Sequence, residues 1–211
     1  MQKIVGETAK IWGCSGRVRV LCDGECISGA DLATLRALGI APGTEMTEET
    51  FNKLQEMEFL SARQRIVRLL EGGDRSVRRI EELLLAKGYD RYIVERVILW
   101  LLERGLVNDA ALADRLVERG NGAKGKRALA QDLIRKGIPQ QVAQQAVERI
   151  TPEDEEKSIQ ALLPRLLRRY GERDPRDARR LIAQALYRRG FSGTAIQAAL
   201  DRALAGDTDW D

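Results

Sequence analysis

One helical pattern occurs three times along this 211-residue chain. Each copy is a helix that ends in a basic residue and a glycine, followed by an apolar residue, a short polar turn and a second amphipathic helix. The copies span residues 80–98, 129–147 and 182–200. Their glycines, Gly88, Gly137 and Gly190, lie 49 and then 53 residues apart, which is the length of a three-helix unit. This period predicts a chain built from tandem helical repeats.

Each of these glycines is predicted to end a helix. Glycine adopts the left-handed conformation after a helix at little cost, and an apolar residue just beyond it can fold back onto the helix. That residue is Tyr89, Ile138 or Phe191. The cations before the glycines complement the negative end of the helix dipole, and they are Lys87, Lys136 and Arg189. A second set of cations recurs near the start of the same helices without such a structural reason: Arg78, Arg127 and Arg180.

Composition argues against an enzyme. The chain contains no histidine, which removes the commonest general base and the commonest metal ligand. No phosphate-binding glycine loop or nucleophile-elbow motif is present, so no cofactor is expected. The three cysteines, Cys14, Cys22 and Cys26, do not have the spacing of a zinc site and are expected to stay reduced, packed into a small sheet. No apolar run is long enough to cross a bilayer, and a cytoplasmic monomer is expected.

The pattern predicts a mainly α fold. Three tandem three-helix repeats are expected to form an elongated, curved stack, preceded by a small α+β segment with a β-hairpin and helices. The predicted ranges are 1–58 for this N-terminal cap, 59–107, 108–151 and 152–205 for the repeats, and 206–211 for an acidic tail. Because charge balance and periodicity both change near Phe59, we expect the repeats to fold without the cap.

Local signals place the elements of the cap. Two strands are predicted within Lys10–Ile27, joined by Asp23-Gly24, a dipeptide that favours hairpin turns. A short helix is predicted from Ser28 or Asp31 to Leu38. A further helix is predicted from Thr47 to about Glu58.

Three signals within the repeats also carry predictions. A new helix is expected from about Ser61 to Glu71, and the glycine-rich segment 120–125 is expected to be a flexible loop. Pro164 is expected to interrupt or kink the helix that begins after Thr151-Pro152. Trp100 lies in the apolar segment VILWLL and is expected in the core.

Several segments of the chain are distinctive: the units AKGY, RKGI and RRGF, the junction LERGLVNDAALA, the segment KGKRALAQDLIRKGI and the N-terminal VRVLCDGECISGA. In these segments the chain resembles the RecX family of regulators of the bacterial recombinase RecA. Cys26 departs from the family, which usually has an aromatic residue there, and we interpret it as a smaller core residue. The resemblance implies a non-enzymatic protein that binds the RecA filament on single-stranded DNA and inhibits strand exchange, ATP turnover and the co-protease role in the SOS response.

Basic residues are the candidate contacts with RecA and with DNA. Both single-stranded and double-stranded DNA are considered as partners. A single exposed cation is usually a solvated side chain, and Arg78 with Glu82 or Arg176 with Asp177 would form local pairs. A recurring basic face, however, can follow a phosphate backbone. The candidates are Arg75, Arg78, Arg79, Lys124, Lys126, Arg127, Lys136, Arg168, Arg169, Arg176, Arg179 and Arg180. Lys124, Lys126 and Arg127 are expected to be mobile.

Two other hypotheses remain open from the residues alone. A helical DNA-binding module acting by itself would bind bare DNA in a salt-sensitive manner. A helical scaffold with no nucleic-acid role would be indifferent to charge reversal of the recurring arginines. Aromatic residues, at 5%, are too scarce for a base-stacking platform.

Overall fold

The computed structural model describes residues 3–10 and 16–205, and this part of the chain contains four strands and ten helices. It divides into two compact units between Asn108 and Asp109. The first unit contains β1 (Lys3–Lys10), β2 (Arg17–Cys22), β3 (Glu25–Asp31), α1 (Leu32–Ala37), β4 (Glu45–Met46), α2 (Glu48–Glu71), α3 (Val77–Ala86) and α4 (Arg91–Glu103). The second contains α5 (Asp109–Gly120), α6 (Lys126–Arg135), α7 (Gln140–Glu148), α8 (Pro152–Tyr170), α9 (Pro175–Arg188) and α10 (Gly193–Ala205). The mainly helical fold with a small N-terminal α+β segment is confirmed.

The N-terminal strands form one antiparallel sheet in the order β3-β2-β1-β4. The predicted hairpin is confirmed as β2 and β3, with Val18 opposite Ala30. Asp23 and Gly24 both have positive φ, 50° and 81°, as the type I′ turn requires. Strands β1 and β4 were not predicted. Helix α1 begins after Asp31, whose carboxylate accepts a hydrogen bond from Ala33 N, so Ser28 belongs to β3.

Helix α2 corrects the prediction that one helix ends near Glu58 and another begins near Ser61. It is a single helix of 24 residues, capped by the Thr47 side chain, and it crosses the predicted 58/59 boundary. No glycine or proline lies between Thr44 and Glu71, so nothing in the sequence stops it. The Ser61 hydroxyl does not cap a helix but contacts the Tyr89 hydroxyl at 3.0 Å. Independent folding of residues 59–211 stays a prediction.

Three helical groups follow the sheet, and each buries its own apolar cluster. The second half of α2 packs with α3 and α4, α5 packs with α6 and α7, and α8 packs with α9 and α10. The three repeat glycines have φ of 81°, 85° and 87°. After each glycine, the apolar residue donates a backbone hydrogen bond to a carbonyl five residues earlier, as from Tyr89 to Leu84 at 3.2 Å. This is the Schellman motif, so the prediction that glycine ends each helix is confirmed.

Two local predictions in the second unit need correction. Pro164 does not interrupt its helix, since α8 continues through it to Tyr170, while a kink at Pro164 stays a prediction. The segment 120–125 is not a free loop: α5 extends to Gly120, the next residues form turns, and Gly125 is buried. The physical reason is a contact of Gly125 with the third helical group, described below. The acidic tail predicted at 206–211 lies outside the described residues.

Candidate nucleic-acid interface

The first basic cluster surrounds the start of α3. Arg78 Nε and Arg79 Nη1 each lie 3.1 Å from a carboxylate oxygen of Glu82. Hydrogen bonds from Arg79 and then Arg78 hold the pKa of Glu82 below its ordinary value. Arg75 curls back and donates to the carbonyl oxygens of Gly73 and Asp74. The local pairing of Arg78 with Glu82 is confirmed, and one carboxylate is shared by two arginines.

The second cluster lies at the two ends of α6, and its Lys124 is held by an ion pair. Lys124 Nζ is 2.5 Å from Asp132 Oδ2, and Arg135 binds the other oxygen of the same carboxylate. The hydrogen bond from Lys124 is the largest cause that keeps the pKa of Asp132 below its ordinary value. Lys136 and Lys124 line the same cleft of about 270 Å³. The expectation that Lys124 moves freely is therefore wrong.

The start of α6 is locked against the turn of the third helical group. Gly125 N donates to Arg189 O at 2.9 Å, and Arg127 N donates to Gly190 O at 3.3 Å. A Cβ atom on Gly125 would lie 2.4 Å from the Gly190 carbonyl, and one on Gly190 would lie 2.4 Å from Ala128 N. Neither glycine can carry a side chain without moving backbone. The segment predicted to be a flexible loop is therefore anchored at Gly125, its last residue.

A buried glutamate completes this junction. Glu155 of α8 is 6% exposed; its Oε1 accepts from Lys126 N at 3.3 Å and its Oε2 accepts from the Ser192 hydroxyl at 3.1 Å. Gly125, the N-cap of α6, has no side chain to satisfy the first amides of that helix. Glu155 supplies the missing acceptor and a negative charge at the positive end of the helix. Sequence reasoning counted Glu155 only among the first-turn carboxylates of α8.

Arg127 is the candidate with the most distinctive surroundings. Its guanidinium donates to Tyr187 O at 2.8 Å and lies 4.1 Å from the centre of the Tyr187 ring. Within the described residues no carboxylate forms an ion pair with Arg127. Tyr187 itself is 54% exposed. The guanidinium of Arg127 is thus fixed in position, with no carboxylate of the described residues at ion-pair distance.

The third cluster is only partly paired. Arg179 binds Asp201 at 2.5 Å, and Arg180 binds Asp177 at 2.9 Å. The pair predicted between Arg176 and Asp177 is not formed, because Asp177 takes Arg180, one turn further along α9. Two more predicted residues, Arg168 and Arg169, are exposed in the last turn of α8, where cations complement the helix dipole.

A network at the sheet escaped sequence reasoning. Arg17 is 7% exposed, and its Nη2 lies 2.5 Å from Glu58 Oε2, a fully buried carboxylate. The same nitrogen donates to Gly29 O and Gly88 O, and the guanidinium stacks 3.8 Å from the Tyr89 ring centre. The alternation RVRVL places Arg17 on the outward face of the strand. The helical group covers that face at this end, and no local signal reports such a contact.

Arginines and aromatic rings also alternate along α2 and α4, in the order Tyr92, Arg96, Phe59, Arg63, Trp100, Arg104. The guanidinium-to-ring distances range from 4.5 to 5.9 Å. Trp100, expected in the core, is half-buried beneath two of these arginines. These stacked cations lie outside the three predicted clusters.

The cysteines contribute no site within the described residues. Cys22 is buried in the sheet core, as expected, whereas Cys26 is exposed, which corrects its interpretation as a core residue. Cys26 follows the hairpin turn, near the start of the edge strand β3. Cys14 lies outside the described residues. The described part of the chain has no cluster of three potential metal ligands and no helix long and apolar enough to span a membrane.

Comparison with known proteins identifies the family. Residues 108–147 match the model of the second three-helix domain of RecX, and residues 153–200 match that of the third. The regulatory protein RecX of Mycobacterium leprae is 36% identical over 147 residues, which cover 68% of this chain and 85% of the relative. The chain belongs to the RecX family. The regulatory protein RecX of Clostridioides difficile is 26% identical over 194 residues, covering 90% of this chain and 91% of the relative.

Solved RecX structures share the fold. A crystal structure of regulatory protein RecX superposes with a TM-score of 0.67 at 23% identity, covering 94% of this chain and 99% of the other. RecX from Lactobacillus salivarius gives a TM-score of 0.67 at 21% identity, covering 70% of this chain and 97% of the other. The RecX domains matched by family models are the two helical groups that Gly125, Gly190 and Glu155 join.

Proposed function

We propose that this RecX-family chain binds the RecA filament on single-stranded DNA and inhibits its recombinase, ATPase and co-protease activities. Membership of a family of regulatory proteins is the observation that carries the proposal. The chain acts as a cytoplasmic monomer without a cofactor and without catalysis of its own. Its partners are the RecA filament, single-stranded DNA and double-stranded DNA.

The distribution of charge supports a phosphate-rich or acidic partner. Six of the twelve candidate cations form no ion pair with a carboxylate of the described residues: Arg75, Lys126, Arg127, Arg168, Arg169 and Arg176. Unpaired exposed cations attract polyanions over distances near the Debye length and release counterions on contact. Such residues can bind without first breaking an internal pair.

The contacts that hold the start of α6 and the Arg127 side chain support the same proposal. Arg127 is fixed by the Tyr187 carbonyl and ring, while backbone hydrogen bonds and Glu155 hold the start of α6. A cation that is already ordered loses little conformational entropy when it meets a phosphate or carboxylate. For Lys124 and Arg127 the expectation of mobile cations is thus replaced by one of preorganised cations, while the mobility of the Lys126 side chain stays a prediction.

Charge reversal on α6 tests the proposal. Replacing Lys124, Lys126 and Arg127 by Glu should abolish or strongly weaken inhibition of the DNA-dependent ATPase and strand exchange of RecA. The dependence of binding on salt should also become shallower, by about 0.7 in the logarithmic slope for each single-strand phosphate that is no longer neutralised. Circular dichroism must show that the variant keeps its helices, since Arg127 also bonds Tyr187.

A matched control applies the same change of charge to the first unit. Arg36, Arg65 and Arg68 are exposed and lie outside the candidate clusters, and their replacement by Glu should leave inhibition nearly intact. Equal loss in both variants would mean that net charge, not the α6 face, determines binding. Wild-type potency in the α6 variant would contradict the basic-face mechanism and favour a helical scaffold.

A further inference from the structure

A groove between α9 and α10 adjoins the stacked pair of Arg127 and Tyr187. Its volume is about 420 Å³, within the range of small-molecule sites. Its lining residues are Ala183, Gln184, Tyr187, Arg188, Gly193, Ile196 and Gln197. Tyr187 is 54% exposed, and Arg127, which stacks on its ring, is not among the lining residues.

The groove combines an open ring with positive charge. Arg188 lines it, and no carboxylate of the described residues forms an ion pair with Arg188. Arg127, also without such a pair, is held against the same ring by the Tyr187 carbonyl. The nearest acid on α10, Asp201, is bound by Arg179. The groove thus combines apolar side chains, Ala183 and Ile196, with two cations near Tyr187, which suits a flat aromatic group attached to an anion.

We propose that this groove binds one nucleobase of single-stranded DNA, stacked on Tyr187, with the flanking phosphates held by Arg127 and Arg188. The choice of single-stranded DNA rests on the proposed function, since the filament contains that strand. Stacking on an aromatic ring is available to every base, and arginine adds both charge and a planar surface. Aromatic residues are too scarce for a platform of several bases, but this arrangement requires only one ring.

Two amides support this choice of ligand. Gln184 and Gln197 line the groove, and each amide has both donors and an acceptor. The Gln197 amide nitrogen donates to Asp201 at 3.5 Å, and its side-chain carbonyl oxygen accepts no hydrogen bond within the described residues. Such groups bond the edge of any base by rotating the amide. Recognition is therefore expected to depend on the presence of a base and little on its identity.

The experiment compares oligonucleotides with and without bases. The full chain is titrated, without RecA, with oligo-dT and with an abasic strand of equal length and charge. The wild type should prefer the strand with bases by roughly tenfold, as one stacked base provides. Tyr187→Ala should remove this preference, and Tyr187→Phe should keep it because the ring remains. The residual binding of Tyr187→Ala should still depend on salt.

Tyr92 provides a matched control. It is 53% exposed, and Arg96 lies 5.8 Å from its ring centre, but it lines no part of this groove. Tyr92→Ala should therefore leave the preference for bases unchanged. No preference in the wild type, a preference retained by Tyr187→Ala, or an equal loss in Tyr92→Ala would each overturn the inference. The wild type could inhibit RecA and still show no preference for strands with bases. That result would reject this site but not the proposed function.

Discussion

At two places in this molecule, another element binds the glycine turn that ends a repeat helix. The two contacts are made by different kinds of group. In the first unit, the sheet reaches the first repeat through a side chain: Arg17 donates to Gly88 O and stacks on Tyr89. In the second unit, helix α6 reaches the third repeat through backbone, because Arg127 N donates to Gly190 O. The glycine carbonyl is the acceptor in both.

Each junction is completed by a buried glutamate. Glu58 pairs with Arg17, whereas Glu155 accepts from a backbone amide and a hydroxyl and forms no ion pair within the described residues. The first junction thus depends on the buried ion pair of Arg17 and Glu58. The second depends on Gly125 and Gly190, which allow the backbone of α6 to approach the turn after α9. Different substitutions should therefore break them.

The largest effect is expected at the charge pair. Glu58→Ala leaves Arg17 buried without its carboxylate, and it should lower the free energy of unfolding by about 3 to 5 kcal/mol. Urea denaturation measures the change. Glu49→Ala is the control on the same helix, where an exposed glutamate pairs with Lys53, and little change is expected there. Equal losses of unfolding free energy in Glu58→Ala and Glu49→Ala would contradict this account of the junction.

The second largest effect is a difference in stability loss between substitutions at two of the repeat glycines. Gly190→Ala should lower the free energy of unfolding by about 3 kcal/mol, because the new Cβ meets the backbone of α6 as well as a positive φ. Gly137→Ala, at a φ of 85°, should lower it by only about 1 kcal/mol. Thermal denaturation of both variants checks the difference. Equal losses would show that α6 does not press on the Gly190 turn.

The third effect concerns the glutamate of the backbone junction. Glu155→Ala removes the acceptor for Lys126 N and Ser192, and it should lower the free energy of unfolding by about 2 kcal/mol. Amide hydrogen exchange at the first turn of α6 should accelerate in parallel. Glu153, exposed in the same first turn of α8, provides the control, and its replacement by Ala should not change exchange at α6.

The smallest effect tests whether Lys124 is held. Its hydrogen bond lowers the pKa of Asp132 from 3.8, so the pair stabilises the fold above that pH, and this contribution is lost as the pH falls through the lower, folded-state pKa. In Lys124→Met the pKa of Asp132 should rise toward its ordinary value, as measured by NMR titration. An unchanged pKa of Asp132 would show that Lys124 is not held by this carboxylate.

Features set by neighbouring residues were predictable from the sequence. The repeat glycines, the Asp23-Gly24 turn and the caps at Thr47 and Thr151 depend on contacts within a few residues. The continuity of α2 is also predictable in principle, because the segment after Thr44 has no helix breaker before Gly72. The change in charge balance and periodicity near Phe59 nevertheless suggested a break there.

Features that depend on distant residues were not predictable. The hydrogen-bond partners of Arg17 lie up to 71 positions away, at Gly88, and Arg127 bonds Tyr187 over 60 positions. A strand pattern places Arg17 in solvent, and a glycine-rich segment suggests a loop around Gly125. Both inferences fail because another element covers the site. The basic residues themselves were identifiable, but their pairing depends on which carboxylates the fold brings near.

The central claim, that the chain recognises the RecA filament, is tested most directly by comparing its affinity for bare and RecA-coated strands. Fluorescence anisotropy with the same labelled oligonucleotide, near physiological salt, would be measured without RecA and with RecA and a non-hydrolysable ATP analogue. The account predicts clearly tighter binding to the filament than to the bare strand. Equal or weaker binding to the filament would contradict it and favour a helical module that binds DNA on its own.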